Sequence, residues 1–208
     1  MTEIVIIRHG ETALNTRGVF RGREDVPLNE RGERQATALA EALSEEPLSA
    51  VFSSPLARAL DTARAVAAMH DLTPKIDEAF NNIDLGEWQA REKEEVRREE
   101  PEQWRLWTHD PDSLRIPGGE ALAQVRERSY RRTLELVREY EGRRVAVVSH
   151  RSVAKLLSGA LLGLTSGYFW KFYLDNAAYS VFGFDEDRVV LLKWNESCHL
   201  EDRTVEQF

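Results

Sequence analysis

Cysteine is almost missing from this chain. Cys198 stands alone among 208 residues, which excludes an intrachain disulfide and any metal cluster built from several thiolates of one chain. Basic residues are outnumbered, 28 Lys and Arg against 36 Asp and Glu for a net charge of -8, so neither nucleic acid nor an anionic membrane is an expected partner. Long apolar runs are lacking too. The most apolar helical candidate, residues 153–164, carries Lys155, Ser158 and two glycines and falls short of the roughly 20 residues that span a bilayer. It reads as a core helix. The first seven residues are too short for a signal peptide, and a cytoplasmic location is the expectation that follows. No Gly-x-Gly-x-x-Gly, P-loop or closely spaced histidine-carboxylate set occurs. A nucleotide or zinc enzyme is therefore disfavoured, and no cofactor or metal is expected.

What the chain does have is a pair of short β-branched runs that each end in a histidine. Ile4-Val5-Ile6-Ile7 leads into Arg8-His9-Gly10, and Val145-Ala146-Val147-Val148 into Ser149-His150-Arg151. Both runs lack helical periodicity and read as buried strands. In open α/β sheets ligands gather beyond the carboxyl ends of such strands, so His9 and His150 fall where chemistry is expected. Arg8 adds a permanently charged fork suited to phosphate or carboxylate, and Gly10 allows a ligand close to the backbone.

Between the two runs the pattern alternates. A loop over residues 11–29 precedes an amphipathic helix at 34–43. A brief strand at 51–52 is followed by Ser53-Ser54-Pro55, a cap and early-helix proline before a helix at 56–69, which sets Arg58 in a first turn. A weak strand at 75–77 and an extended segment at 80–88 follow. One charged, exposed helix is expected over 91–107, a long helix over 120–140, and closing strands at 179–184 and 188–194 joined by a turn at Asp185-Glu186-Asp187. No repeat or linker interrupts the 208 residues, so one domain is expected, with 88–117 as a candidate lid.

The sequence resembles the histidine phosphatase superfamily, also called phosphoglycerate mutase-like. Arg8-His9-Gly10-Glu11-Thr12 with Asn15 matches its amino-terminal signature, and Asp25-Val26-Pro27-Leu28 with Gly32 and Gln35-Ala36 continues it. Ser53-Ser54-Pro55-Leu56-Ala57-Arg58-Ala59 matches the second signature. Gly86-Glu87-Trp88, Pro117-Gly118-Gly119-Glu120 and Val148-Ser149-His150 supply three further landmarks. The resemblance implies a three-layer α/β/α sandwich around a mostly parallel sheet. It also implies a phosphatase of phosphomonoesters in which His9 accepts the phosphoryl group while Arg8, Arg58 and His150 hold its oxygens. Asn15 and Gly22 match positions near the phosphate pocket. The compact length is closest to the phosphatase members, and Asp175-Asn176-Ala177-Ala178-Tyr179-Ser180-Val181 with Asn195-Glu196-Ser197-Cys198-His199-Leu200 is similar to the cofactor-independent phosphoserine phosphatases among them; the resemblance implies a small acidic phosphorylated metabolite as substrate. A homodimer is one assembly open to such a chain.

Three positions depart from the family pattern. Asn82 stands where most members carry the carboxylic acid that protonates the departing oxygen, and an amide cannot deliver that proton. Asp84 or Glu87 are the nearby carboxylates that could replace it. Arg21 replaces a common glutamine, and Arg151 replaces a common glycine. Each adds a cation that can bind a second negative group or charge the pocket. The residues also leave open a phosphoglycerate mutase and a phospho-ligand binding protein that turns over weakly because of Asn82. His199 is a candidate to close over the pocket, with a structural role as the alternative.

Overall fold

The computed structural model describes residues 1–186 and 188–201; Asp187, in the expected turn between the last two strands, lies outside them. Six strands form one sheet in the order β3-β2-β4-β1-β5-β6, with β1 Thr2–Arg8, β2 Leu48–Ser53, β3 Lys75–Ile76, β4 Arg144–Ser149, β5 Tyr179–Asp185 and β6 Arg188–Glu196. The pairs β3-β2, β2-β4 and β4-β1 are parallel, whereas β5 runs antiparallel to both β1 and β6. The mostly parallel sheet expected from the sequence is therefore present.

Both faces of the central strands are covered, which is why β1 and β4 read as continuous apolar runs rather than alternating ones. Val5, Ile7, Val51, Ala146 and Val148 point to one side. There they meet Leu39, Ala40 and Leu43 of α1 (Glu30–Leu43) and Ala59, Ala63 and Val66 of α2 (Ala57–Ala68). Ile4, Ile6, Phe52, Val145 and Val147 point to the other, against Leu136 of α5 (Leu122–Glu139) and Ala154, Leu157 and Leu161 of α6 (Arg151–Leu161). Helix, sheet and helix make the three expected layers. A third apolar cluster lies at one end and joins Phe20, Leu85, Trp88, Val96, Trp107, Ile116, Val153 and Phe169.

The expected charged helix over 91–107 is corrected. It is two helices, α3 Lys93–Glu99 and α4 Pro101–His109, because Pro101 has no N–H to give and its ring collides with the preceding turn. In this region Trp107 is buried, and the half-buried Trp104 packs edge-on to Phe20. The 80–88 segment is likewise not uniformly extended, since single 3-10 turns occupy Glu78–Phe80 and Gly86–Trp88. Gly86 has φ +48°, and a Cβ there would sit 2.1 Å from the Pro117 carbonyl oxygen. Gly86→Ala is therefore expected to cost roughly 3 kcal/mol, the sum of left-handed strain and a backbone collision. A urea unfolding midpoint equal to that of the parent would show that this close approach is dispensable.

Candidate active site

The parallel register that pairs Arg8 with Ser149 sets the ends of β1 and β4 side by side. One residue further along each strand, the rings of His9 and His150 have centroids 5.1 Å apart and are tilted by 59°. The two histidines from opposite ends of the chain thus meet at one sheet edge.

Each ring has a defined role in hydrogen bonding. His9 Nδ1 lies 2.6 Å from the Gly10 carbonyl oxygen, an acceptor only, so Nδ1 carries the proton and Nε2 keeps a bare lone pair. His150 Nε2 lies 2.7 Å from Ser54 Oγ, while its buried Nδ1 has no partner among the described residues. With the Ser54 hydroxyl donating to Nε2, Nδ1 becomes an N–H donor. Burial holds both imidazoles well below their ordinary pKa, with the Arg58 guanidinium next in weight for each. Both are neutral at pH 7.

The sign of the linkage follows. A buried histidine with a depressed pKa binds fewer protons than the unfolded chain, so stability is complete above pH 6.5 and declines as pH falls below it toward the folded value. Titrating from pH 8 to pH 5, the unfolding midpoint is expected to drop. A midpoint indifferent to pH over that range would contradict the neutral assignment.

Arg8 and Arg58 are almost fully buried and fixed by backbone carbonyls. Arg8 NH1 donates to the Leu174 oxygen at 2.6 Å. Arg58, in the first turn of α2, donates to the Glu24 and Gly22 oxygens at 2.6 and 3.1 Å. Burial, followed by the charge of Arg21, lowers the Arg58 pKa to about 10. Such crowding of like charges is unfavourable without an anion. His150 also precedes the first turn of α6, whose amides favour negative charge at this end of the cleft.

The cleft over these groups is lined by Arg8, His9, Arg21, Gly22, Arg58, Asn82, Lys93, His150, Arg151 and Ser152. Phe20, Leu85, Trp107 and Trp170 form an apolar wall. Among the described residues, five cations and no carboxylate line it. Asn82 Nδ2 donates to the Gly22 oxygen at 2.6 Å, and its backbone carbonyl accepts from Arg23 and Arg128, each at 3.1 Å.

Several expected site residues are placed elsewhere. Asn15 does not line the cleft; its side chain accepts from Thr12 N and Oγ1 and donates to Asn176, ties that brace the loop after β1. Asp84 turns away to Arg23, 3.5 Å distant, and accepts from Gly86 N, while Glu87 is exposed. Neither is a displaced acid in this arrangement. His199 donates to the Ala177 oxygen at 3.0 Å and stacks on Tyr179, in a separate groove beside α1. Lys93 and Ser54 escaped the sequence reading. Lys93 belongs to a charged run whose composition is that of a solvated face, and Ser54 to a Ser-Ser-Pro segment whose composition is that of a helix cap.

Among the described residues no group of three or more His, Cys, Asp or Glu side chains is placed to hold a metal ion, and no helix is long and apolar enough to cross a membrane.

Comparison with known proteins gives a concordant result. A model described as "Histidine phosphatase superfamily (branch 1)" matches residues 4–197. Phosphoserine phosphatase 1 of Hydrogenobacter thermophilus is 38% identical over 206 residues, covering 99% of this chain and 98% of that protein. Among solved structures, YhfR of Bacillus stearothermophilus superposes with a TM-score of 0.91 at 26% identity, covering 96% of this chain and 99% of the other. Phosphoserine phosphatase of Entamoeba histolytica, in complex with 3-phosphoglyceric acid, superposes with a TM-score of 0.85 at 29% identity, covering 96% of this chain and 99% of the other.

Proposed function

This chain belongs to the histidine phosphatase superfamily and is a phosphomonoesterase, and on that premise we propose that His9 Nε2 is the phosphoryl acceptor for a small, doubly anionic phosphate ester. The observation that carries this is the meeting of His9 and His150 within 5.1 Å, flanked by Arg8 and Arg58. A bare imidazole nitrogen attacks phosphorus, and the phosphohistidine then gives its phosphoryl group to water, so one slow displacement becomes two faster ones. Little covalent work falls to the protein, and charge stabilisation carries the rate. Arg8, Arg58 and His150 Nδ1–H are the donors for the equatorial oxygens.

The second anion is inferred from charge. Arg8 and Arg58 match a phosphate dianion, yet Arg21, Lys93 and Arg151 also line the cleft. A carboxylate or second phosphate on the substrate is the kind of group that their combined positive charge attracts. The Entamoeba relative is bound to a molecule of that class, a phosphorylated carboxylic acid. Residues 88–117, which carry Lys93 and Trp107 to the cleft, then act as a cover that limits substrate size within one domain. Water, rather than a second hydroxyl, is the phosphoryl acceptor favoured here over a mutase, as the phosphatase names of the relatives support.

The test is phosphate release from an aryl phosphate in excess chelator, followed by O-phosphoserine and 3-phosphoglycerate. Turnover in chelator supports the reading. Phosphoglycerate isomerisation without free phosphate would move the protein to the mutases, and binding without turnover would make it a phospho-ligand receptor. Arg151→Met is expected to raise KM for 3-phosphoglycerate about tenfold, the loss of one partly exposed ionic contact, with a much smaller change for an aryl phosphate that carries no second anionic group. Equal effects on both would remove Arg151 from second-anion binding.

A further inference from the structure

Resting on the reading of the same cleft given above, we propose that the site is specialised for phosphoryl groups whose leaving oxygen departs as a stable anion, an acyl phosphate or a phosphoanhydride, ahead of simple alkyl esters.

The first ground is that no carboxyl group lines the cleft among the described residues. Loose phosphoryl transfer puts charge on the leaving oxygen, and an alkoxide needs a proton at that moment. The charged and titratable groups facing the bound phosphoryl come from every element packed around it. They are Arg8 and His9 at the end of β1, Arg21 in the following loop, Arg58 on α2, Lys93 on α3, and His150 and Arg151 at the start of α6. None is a carboxyl group. The His9 Nε2 lone pair is committed to phosphorus, and neutral His150 has no proton acidic enough to surrender. Asp84 and Glu87, the nearest acids in sequence, face away from the cleft.

The second ground is the orientation of Asn82. One N–H of its Nδ2 goes to the Gly22 carbonyl at 2.6 Å, and turning the amide over would press two acceptor oxygens together at that distance. Oδ1 is buried and has no partner among the described residues, which leaves its lone pairs for a ligand. A carbonyl oxygen accepts hydrogen bonds and repels a departing anion. It suits the hydrogen of an incoming water, and the amide as a whole has no proton to give the leaving oxygen.

The third ground is the cations. Arg21, Lys93 and Arg151 also line the cleft, and their charge stabilises a carboxylate or phosphate as it separates. The step balances without a protein acid. In R–CO–O–PO3 the bridging O–P bond breaks and carries its electron pair away on the carboxylate, while His9 Nε2 supplies the pair for the new N–P bond and Nδ1 keeps its proton. Water then attacks phosphorus, the N–P pair returns to His9, and both water protons leave on the released dihydrogen phosphate. A diphosphate follows the same sequence, with phosphate as the leaving anion.

The experiment compares acetyl phosphate, inorganic pyrophosphate, an aryl phosphate and O-phosphoserine on the parent enzyme and on Asn82→Glu. The parent is expected to turn over at least one of the two anhydrides about 100-fold or more faster than O-phosphoserine, the lower range of what a general acid contributes. The two anhydride arms separate acyl from phosphoanhydride use. Asn82→Glu should raise the O-phosphoserine rate by a similar factor and shrink the ratio between substrates. Rates on the parent that are equal for O-phosphoserine and the anhydrides, with the aryl ester turned over, would overturn this inference and leave the phosphatase reading intact. No phosphate from any of the four would overturn both. Because the leaving-group comparison is made on the parent enzyme, a poorly folded variant does not rescue the idea.

Discussion

His9→Ala is expected to abolish phosphate release, with a loss of about 10^4-fold or more, the scale on which enzymes lose a covalent nucleophile while keeping their binding groups. The variant keeps Arg8, Arg58 and His150, so phosphate or vanadate should still bind. The fold should tolerate the change, because the His9 backbone N–H still donates to the Ser149 oxygen and its carbonyl still accepts from Ala177 N. Inactivity with retained anion binding therefore separates loss of the nucleophile from loss of the pocket. Turnover within tenfold of the parent would mean that water attacks the ester directly, and that His9 only helps to hold it.

Arg58→Met is expected to lower kcat by about 10^3-fold, since one buried donor aimed at developing charge is worth about 10^2 to 10^3 and this one also carries a full positive charge. The methionine keeps much of the volume and removes the charge. A second signature belongs to the same variant. Next to burial, Arg58 is the strongest influence holding His9 and His150 in the neutral form. Without it the His9 pKa should move upward, toward 6.5. The parent needs His9 unprotonated and is expected to retain kcat/KM as pH falls through 6.5. The variant should lose it at higher pH than the parent. An acid limb at the same pH in both would show that Arg58 shapes the pocket sterically rather than through its field.

The parts of the fold legible in the sequence are those with local causes. β1 and β4 announce themselves because both faces of each strand are covered, so every position can be apolar, and the histidines mark where that covering ends. The start of α1 is equally local: Asn29 Oδ1 accepts from Gly32 N at 2.8 Å, as a cap does. The break at Pro101 also had its signal in the sequence, but a run of helix formers on either side outweighed it.

The segment over 80–88 was opaque for a different reason. Arg23 and Arg128 clamp the Asn82 carbonyl, and Glu120 accepts from Asp84 N at 3.0 Å. Partners 36 or more residues away set these side-chain directions, so alternation along the segment could not show that Asp84 faces out. Lys93 was hidden likewise. Its neighbour Glu92 bridges to Val19, a contact that draws a charged run against the loop after β1. Composition alone described that run as a solvated surface.

The most direct measurement is a rapid alkaline quench of the enzyme during turnover of phosphorus-32-labelled aryl phosphate, followed by peptide mapping. Label that is stable to alkali, labile to acid, confined to the peptide containing His9 and formed at least as fast as phosphate is released is the predicted result. Steady phosphate release with no covalent label, or the same label on the His9→Ala variant, would contradict it.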